Sequence, residues 1–152
     1  MGHYFNTENM YSLLLHHIKY LYSAYTRYAS AAHDEGFRKF LSSMSSQEEA
    51  NLDSVEEHAD ALKSYQVDTK SLAEVVRTLE SAHKDLNGLL ELERIEFLEY
   101  MLVIEKLSAR LYKECEQTSQ SEAAAEFLHS LHEDEKRHIA LLRDRYELEQ
   151  LL

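Results

Sequence analysis

At 152 residues and a net charge of −12, the chain is long enough for one domain with a sizeable core. Its acidity excludes a broad basic surface for nucleic acid or an anionic membrane. It has no proline and three glycines, too few turn formers for a strand-rich or loop-rich fold, so nearly all of it should be helix. Its one cysteine, Cys115, excludes an internal disulfide and a four-cysteine iron site, and reads as a small buried or half-buried thiol.

Apolar residues recur at steps of three and four in four long segments, the period of an amphipathic helix. The first runs from about Thr7 to Ala32, with Tyr11, Leu14, Ile18, Leu21, Tyr25 and Ala32 on one stripe. His33-Asp34 ends it, and Asp34 is the predicted N-cap of the second helix. That helix spans about Glu35 to Lys63, with Phe37, Leu41, Met44, Leu52, Val55, Ala59 and Leu62 aligned. Next comes a connecting stretch, 64–88. Ser71-Leu72-Ala73-Glu74 reads as a capping box opening a short helix that Asn87-Gly88 closes. A helix over Ser71 to Leu86 would be roughly 24 Å long, enough to run most of the length of a bundle.

The third long helix, about Leu89 to Glu116, aligns Leu98, Met101, Leu102, Ala109 and Tyr112. Thr118-Ser119-Gln120-Ser121 is a polar break with capping residues. The fourth, about Glu122 to Gln150, aligns Leu128, Leu131, Ile139, Leu142 and Tyr146. The predicted fold is therefore all-α: a single domain over 1–152, with hairpins at 7–63 and 89–150 and a crossover at 64–88. A long crossover favours the ferritin-like four-helix bundle over plain up-down-up-down topology. No basic-then-apolar leader opens the sequence and no apolar run is long enough for a bilayer, so the expected location is cytoplasmic, with no membrane partner.

The two hairpins repeat each other at an offset of 87 residues, which lays Phe127-Leu128 over Phe40-Leu41, Lys106 over Lys19 and Tyr112 over Tyr25. In the second copy this register places Glu105, Glu135 and His138 where the first has Ile18, Glu48 and Asn51. Glu-x-x-His occurs three times, as Glu80/His83, Glu126/His129 and Glu135/His138, and helical phase separates them. Glu126 falls on the polar face of the fourth helix, and Glu80/His83 belongs to the crossover. Glu135/His138 is the pair predicted to point into the core. Glu105 sits at the centre of the third helix's stripe, and Glu48 on that of the second. Three glutamates and a histidine facing inward must be paired or hold a cation, because isolated buried charge is costly. Carboxylates with one imidazole suit iron or manganese and are usable by zinc. The residues alone point to one metal ion held by Glu48, Glu105, Glu135 and His138.

The run Glu105-Lys106-Leu107-Ser108-Ala109-Arg110-Leu111-Tyr112, together with Glu135-Lys136-Arg137-His138, resembles the rubrerythrin branch of the ferritin-like di-iron carboxylate proteins. The resemblance covers both hairpins in architecture and is specific in the second half. It implies Glu105 and His138 as terminal ligands of one metal, with Glu135 and Glu48 in the positions of bridging carboxylates. It also implies reaction with hydrogen peroxide or oxygen, or oxidation of ferrous iron. A second metal would need a glutamate at Ile18 and a histidine at Asn51, and neither is there. Asn51 is a weak oxygen ligand, and His17, next to Ile18, lies about 100° out of phase. The rubredoxin-type iron module is missing too, so redox activity would need an external electron donor.

Tyr25 and Tyr112 are predicted core residues whose hydroxyls find polar partners, close enough to the metal positions for a hydrogen-bonding role. Tyr4, Tyr11, Tyr20, Tyr22 and Tyr28 spread round the first helix, a pattern that fits a homodimer contact. Two further functions fit the same residues. One is a di-iron peroxidase or ferroxidase whose second position is completed by Asn51, His17 or water. The other is a non-catalytic helical interaction module in which Glu105, Glu135 and His138 persist as a hydrogen-bonded network.

Overall fold

A computed structural model describes residues 9–64, 70–119 and 121–152, and every described element is helical. In chain order these are α1 (Met10–Ala31), α2 (Glu35–Glu57), α3 (Ala59–Lys63), α4 (Lys70–Ala82), α5 (Leu86–Leu89), α6 (Arg94–Thr118) and α7 (Glu122–Leu151). The expected helix start at Thr7, Tyr4, the first part of the crossover (65–69) and Gln120 lie outside the described residues. No described helix is long and apolar enough to cross a membrane. The chain divides into two compact units, Met1–Gln66 with Lys84–Glu91, and Val67–His83 with Leu92–Leu152.

The first unit is the hairpin of α1 and α2 with α3 and α5 laid on α1. Asn9 opens α1 by accepting from the Ser12 amide at 2.9 Å, and Asp34 opens α2 by accepting from Phe37 at 2.7 Å, as its sequence position predicts. Between them, Arg38 closes the turn, its Nη2 donating to the Ala32 carbonyl at 2.9 Å. Phe37 is fully buried and meets the Tyr28 ring edge-on, with centroids 5.9 Å apart. Leu13, Leu14, Ile18, Leu21, Tyr25, Leu41, Met44 and Val55 fill the core around them.

The second expected helix is not continuous to Lys63. It is interrupted at His58, whose amide is shared between the Ser54 and Val55 carbonyls while its ring Nδ1 sits 2.8 Å from the Ser54 carbonyl. Three-centre bonding of this kind tightens a last turn and ends a helix. Several of the first helix's tyrosines are engaged inside this unit. Tyr20 donates to the Lys84 carbonyl at 2.6 Å, the Lys63 ammonium lies 4.8 Å from the Tyr11 ring centroid, and Tyr28 is buried.

In the second unit α6 packs along α7, and α4 lies against α6. α4 presents Leu72, Val75, Val76 and Leu79. Ser71 falls inside α4 and therefore does not cap it, and Asn87-Gly88 belongs to the short α5, which Asp85 caps through the Gly88 amide at 3.0 Å. α6 starts at Arg94, later than Leu89, where the Glu96 carboxylate accepts from the Glu93 amide at 3.0 Å. Ser121 caps α7 through the Ala124 amide at 3.3 Å. At the far end of α7, buried Glu149 takes Arg145 at 2.8 Å and Arg94 at 3.2 Å, tying that end to the start of α6.

The buried face of α6 is Phe97, Leu98, Met101, Ile104, Glu105, Ser108, Leu111, Tyr112 and Cys115. The sequence stripe is thus rotated slightly, and Leu102 and Ala109 are half-buried. Cys115 is fully buried, and burial, aided by the neighbouring Glu114 charge, pushes its thiol up to about 12. A thiol in that state is a packing residue and not a nucleophile.

Candidate metal centre

Three of the four predicted ligands come together within the second unit. Glu105 is 0 % exposed, Glu135 1 % and His138 4 %. The helical period brings this about: Glu105 stands one position past Ile104 on the packed face of α6, and Glu135 and His138 stand three apart on α7, among Leu128, Leu131 and Leu142. Nδ1 of His138 lies 3.8 Å from Glu105 Oε2 and 3.7 Å from Glu135 Oε2. Both separations exceed a direct hydrogen bond. Donors that share a cation at about 2.1 Å, with angles between about 90° and 110°, stand about 3.0–3.4 Å apart, a little closer than these two separations.

The electrostatics favour ligation. Burial, with the Arg137 charge adding to it, pushes the His138 imidazole down to about 4. At neutral pH the ring is therefore uncharged and offers a lone pair, the form a metal requires. The two carboxylates are buried, with little water to stabilise a charge. Ser108, one turn beyond Glu105, turns its hydroxyl back to the Ile104 carbonyl at 2.9 Å. Buried carboxylates and a buried imidazole are groups of the kind that serve as metal ligands.

The fourth predicted ligand, Glu48, is on α2 in the first unit and is fully buried. Its carboxylate Oε1 accepts from Asn51 Nδ2 at 3.1 Å. Asn51 is buried as well, and so are Ile18, Tyr25 and, against its out-of-phase position, His17. α1 buries Leu13, Leu14, His17, Ile18, Leu21, Ala24, Tyr25, Tyr28 and Ala29, a face wider than one stripe, and this width takes in His17.

The other two Glu-x-x-His pairs behave differently from each other. Glu126 and His129 are exposed, and His129 Nδ1 sits 3.2 Å from Glu116 on the surface of the second unit. His83 is buried, contrary to the expectation that Glu135/His138 alone among the three pairs points inward. The signal was present, since His83 continues the 4-3-4 run of Leu72, Val76 and Leu79 on the inner face of α4.

Burial pushes His83 down to about 4 from the 6.5 of a solvated imidazole. As pH falls, the unfolded chain takes up this proton before the folded one does. The stability held by neutral His83 is therefore full above about pH 6.5 and is lost as pH falls through about 4, a loss on the order of 3 kcal/mol. Urea melts at pH 7 and pH 4.5 measure it: His83→Leu is expected to lose clearly less stability between the two than the parent chain. An equal loss in both proteins would contradict the assignment.

Comparison with protein families, with curated proteins and with solved structures finds no match for this chain. The functional reading therefore rests on its own residues.

Proposed function

We propose that this chain holds a single metal ion, iron in first place with manganese or zinc as substitutes, through Glu48, Glu105, Glu135 and His138. The observation that carries the reading is the burial of Glu105, Glu135 and His138 on facing helices, with the imidazole held neutral. Two carboxylates and a histidine in an apolar core cost stability unless they serve a cation or one another. Glu48, Glu135 and His138 each add a buried ligand atom of the kind such an ion takes. In this proposal the two hairpins form a ferritin-like four-helix bundle resembling the rubrerythrins.

Iron bound there would supply one-electron chemistry toward peroxide or oxygen, so an oxidoreductase of the peroxidase or ferroxidase type is the proposed activity. The chain's own residues do the rest. Glu105, Glu135 and His138 fix the position of the ion, and the apolar faces of α6 and α7 limit water. Electrons would come from an external donor, and a homodimer through the tyrosine-rich α1 in the cytoplasm completes the proposal.

Anaerobic titration of the metal-free protein with ferrous iron tests it. Binding is expected to saturate at one equivalent, and both His138→Asn and Glu48→Gln should weaken it at least tenfold. Glu126→Gln, on the exposed face of α7, should leave it unchanged. Equal affinity in all four proteins would remove the four-ligand reading.

A further inference from the structure

The hairpin of α1 and α2 carries a groove that the metal reading does not use. It encloses about 330 Å³, at the small end of the range for small-molecule sites, and every residue lining it belongs to the first unit. Such sites are mostly apolar, whereas this one is walled by hydroxyls: Thr26 and Ser30 from α1, with Ser42, Ser45 and Ser46 from α2. Along α2 the lining runs from Arg38 to Glu49, about 16 Å at ~1.5 Å per residue, so the groove has a cationic end and an anionic end.

Arg38 is held in place at the cationic end. Its Nε and Nη2 both donate to the Ala32 carbonyl, at 3.3 and 2.9 Å, which fixes the guanidinium plane. That engages one edge of the fork. The other edge, Nη1 with the second Nη2 proton, keeps the paired donor geometry that matches two oxygens of an oxyanion. Ser42 follows one turn along α2 and adds a hydroxyl donor on the same side. A carboxylate would have both oxygens on the fork, while a phosphate has a third for Ser42.

The wall beyond suits hydroxyl groups. Thr26 Oγ1 and Ser45 Oγ stand 2.6 Å apart, so one donates to the other and the pair presents both a proton and lone pairs. Ser30 directs its proton to the Thr26 carbonyl at 3.1 Å and presents lone pairs. The half-buried Tyr22 adds a ring for carbon-bound hydrogens. A sugar offers this same mixture of donors, acceptors and C–H faces. Glu49 repels an anionic group, which sets the direction of binding with the charged head at Arg38.

We infer that this groove binds a small sugar phosphate, its phosphate on the Arg38 fork and Ser42, its hydroxyls along Thr26, Ser45 and Ser46. The site is independent of the metal proposal and needs neither Glu48 nor the second unit.

Titration of the full, isotope-labelled chain with glucose 6-phosphate, followed through amide chemical shifts, tests it. Saturable shifts are expected at Ser42, Ser45 and Ser46. Glucose and inorganic phosphate, which each supply half of the contacts, should bind at least about tenfold more weakly. Arg38→Gln and Ser42→Leu should each weaken glucose 6-phosphate by about tenfold or more, the size expected for losing a hydrogen bond to a charged group. Ser42→Leu leaves Arg38 and the turn in place, and so decides the matter where Arg38→Gln fails to fold. Lys39→Gln, which removes a neighbouring charge paired with Glu35 at 3.5 Å, should bind as wild type does. An absence of saturable shifts, or binding that Ser42→Leu leaves unchanged, would overturn the site. Inorganic phosphate bound as tightly as glucose 6-phosphate, or equal losses in Lys39→Gln and Arg38→Gln, would also overturn it, because either means an anion attracted by charge alone.

Discussion

Replacing Glu105, Glu135 and His138 together with Met, Met and Leu is expected to stabilise the metal-free protein by about 1–4 kcal/mol, as seen when buried charged clusters are exchanged for apolar residues of similar volume. All three side chains are buried, and the mutual attraction of buried charged groups often returns less than the cost of taking them out of water. The buried faces of α6 and α7 that carry them are otherwise largely apolar, with Leu98, Met101, Ile104, Leu128 and Leu131 among them, and suit apolar replacements. The same triple variant should bind no metal. Stability gained together with metal lost is the pattern of a site kept for function at the expense of stability. Urea denaturation of the two metal-free proteins at pH 7 measures the difference. A variant less stable than its parent would show that the three residues form a structural network, which is what a non-catalytic interaction module would need.

Phe37→Ala is expected to act in the opposite direction, lowering stability by about 3–5 kcal/mol, the range for truncating a large core aromatic. Phe37 is fully buried in the first turn of α2, directly after the Asp34 cap, and its ring takes the edge-on contact with Tyr28. Truncation would leave a cavity at the closed end of the α1–α2 hairpin, where the three-residue turn allows little collapse to fill it. The backbone cap does not depend on the ring, so Asp34 should still accept from the residue-37 amide, and the loss should be one of packing alone. Chemical denaturation at neutral pH should show a lower midpoint with a similar slope. A loss below about 1 kcal/mol would mean that the turn relaxes enough to refill the space.

Much of the local structure could be read from the residue pattern because it depends on phase. Glu105, Glu135 and His138 were predicted to face inward from their spacing to Leu98, Met101, Leu128, Leu131 and Leu142, and all three are buried. Asp34 and the Thr118–Ser121 break followed from cap chemistry, and Asp34 and Ser121 accept the bonds expected of caps. Where the reading failed, a tertiary or competing local interaction decides. Ser71 had the right motif, yet the helix already includes Lys70 before it. His58 breaks a helix that the apolar spacing carries through to Lys63, because its amide and ring both engage the carbonyls of the preceding turn. Phase on a single helix also understated burial wherever the packed face is broad. Thus His17 on α1 and His83, just past the end of α4, are both buried. The sequence had no means of showing that Asn51 donates to Glu48, since spacing of three on a helix brings two side chains near each other without fixing which atom meets which.

Elemental analysis of untagged protein purified without oxygen, set beside Glu135→Gln/His138→Asn, tests the central claim most directly. The account predicts one equivalent of iron or manganese per chain in the parent protein and none in the variant. Two equivalents in the parent, or none even after reconstitution with ferrous iron, would contradict it.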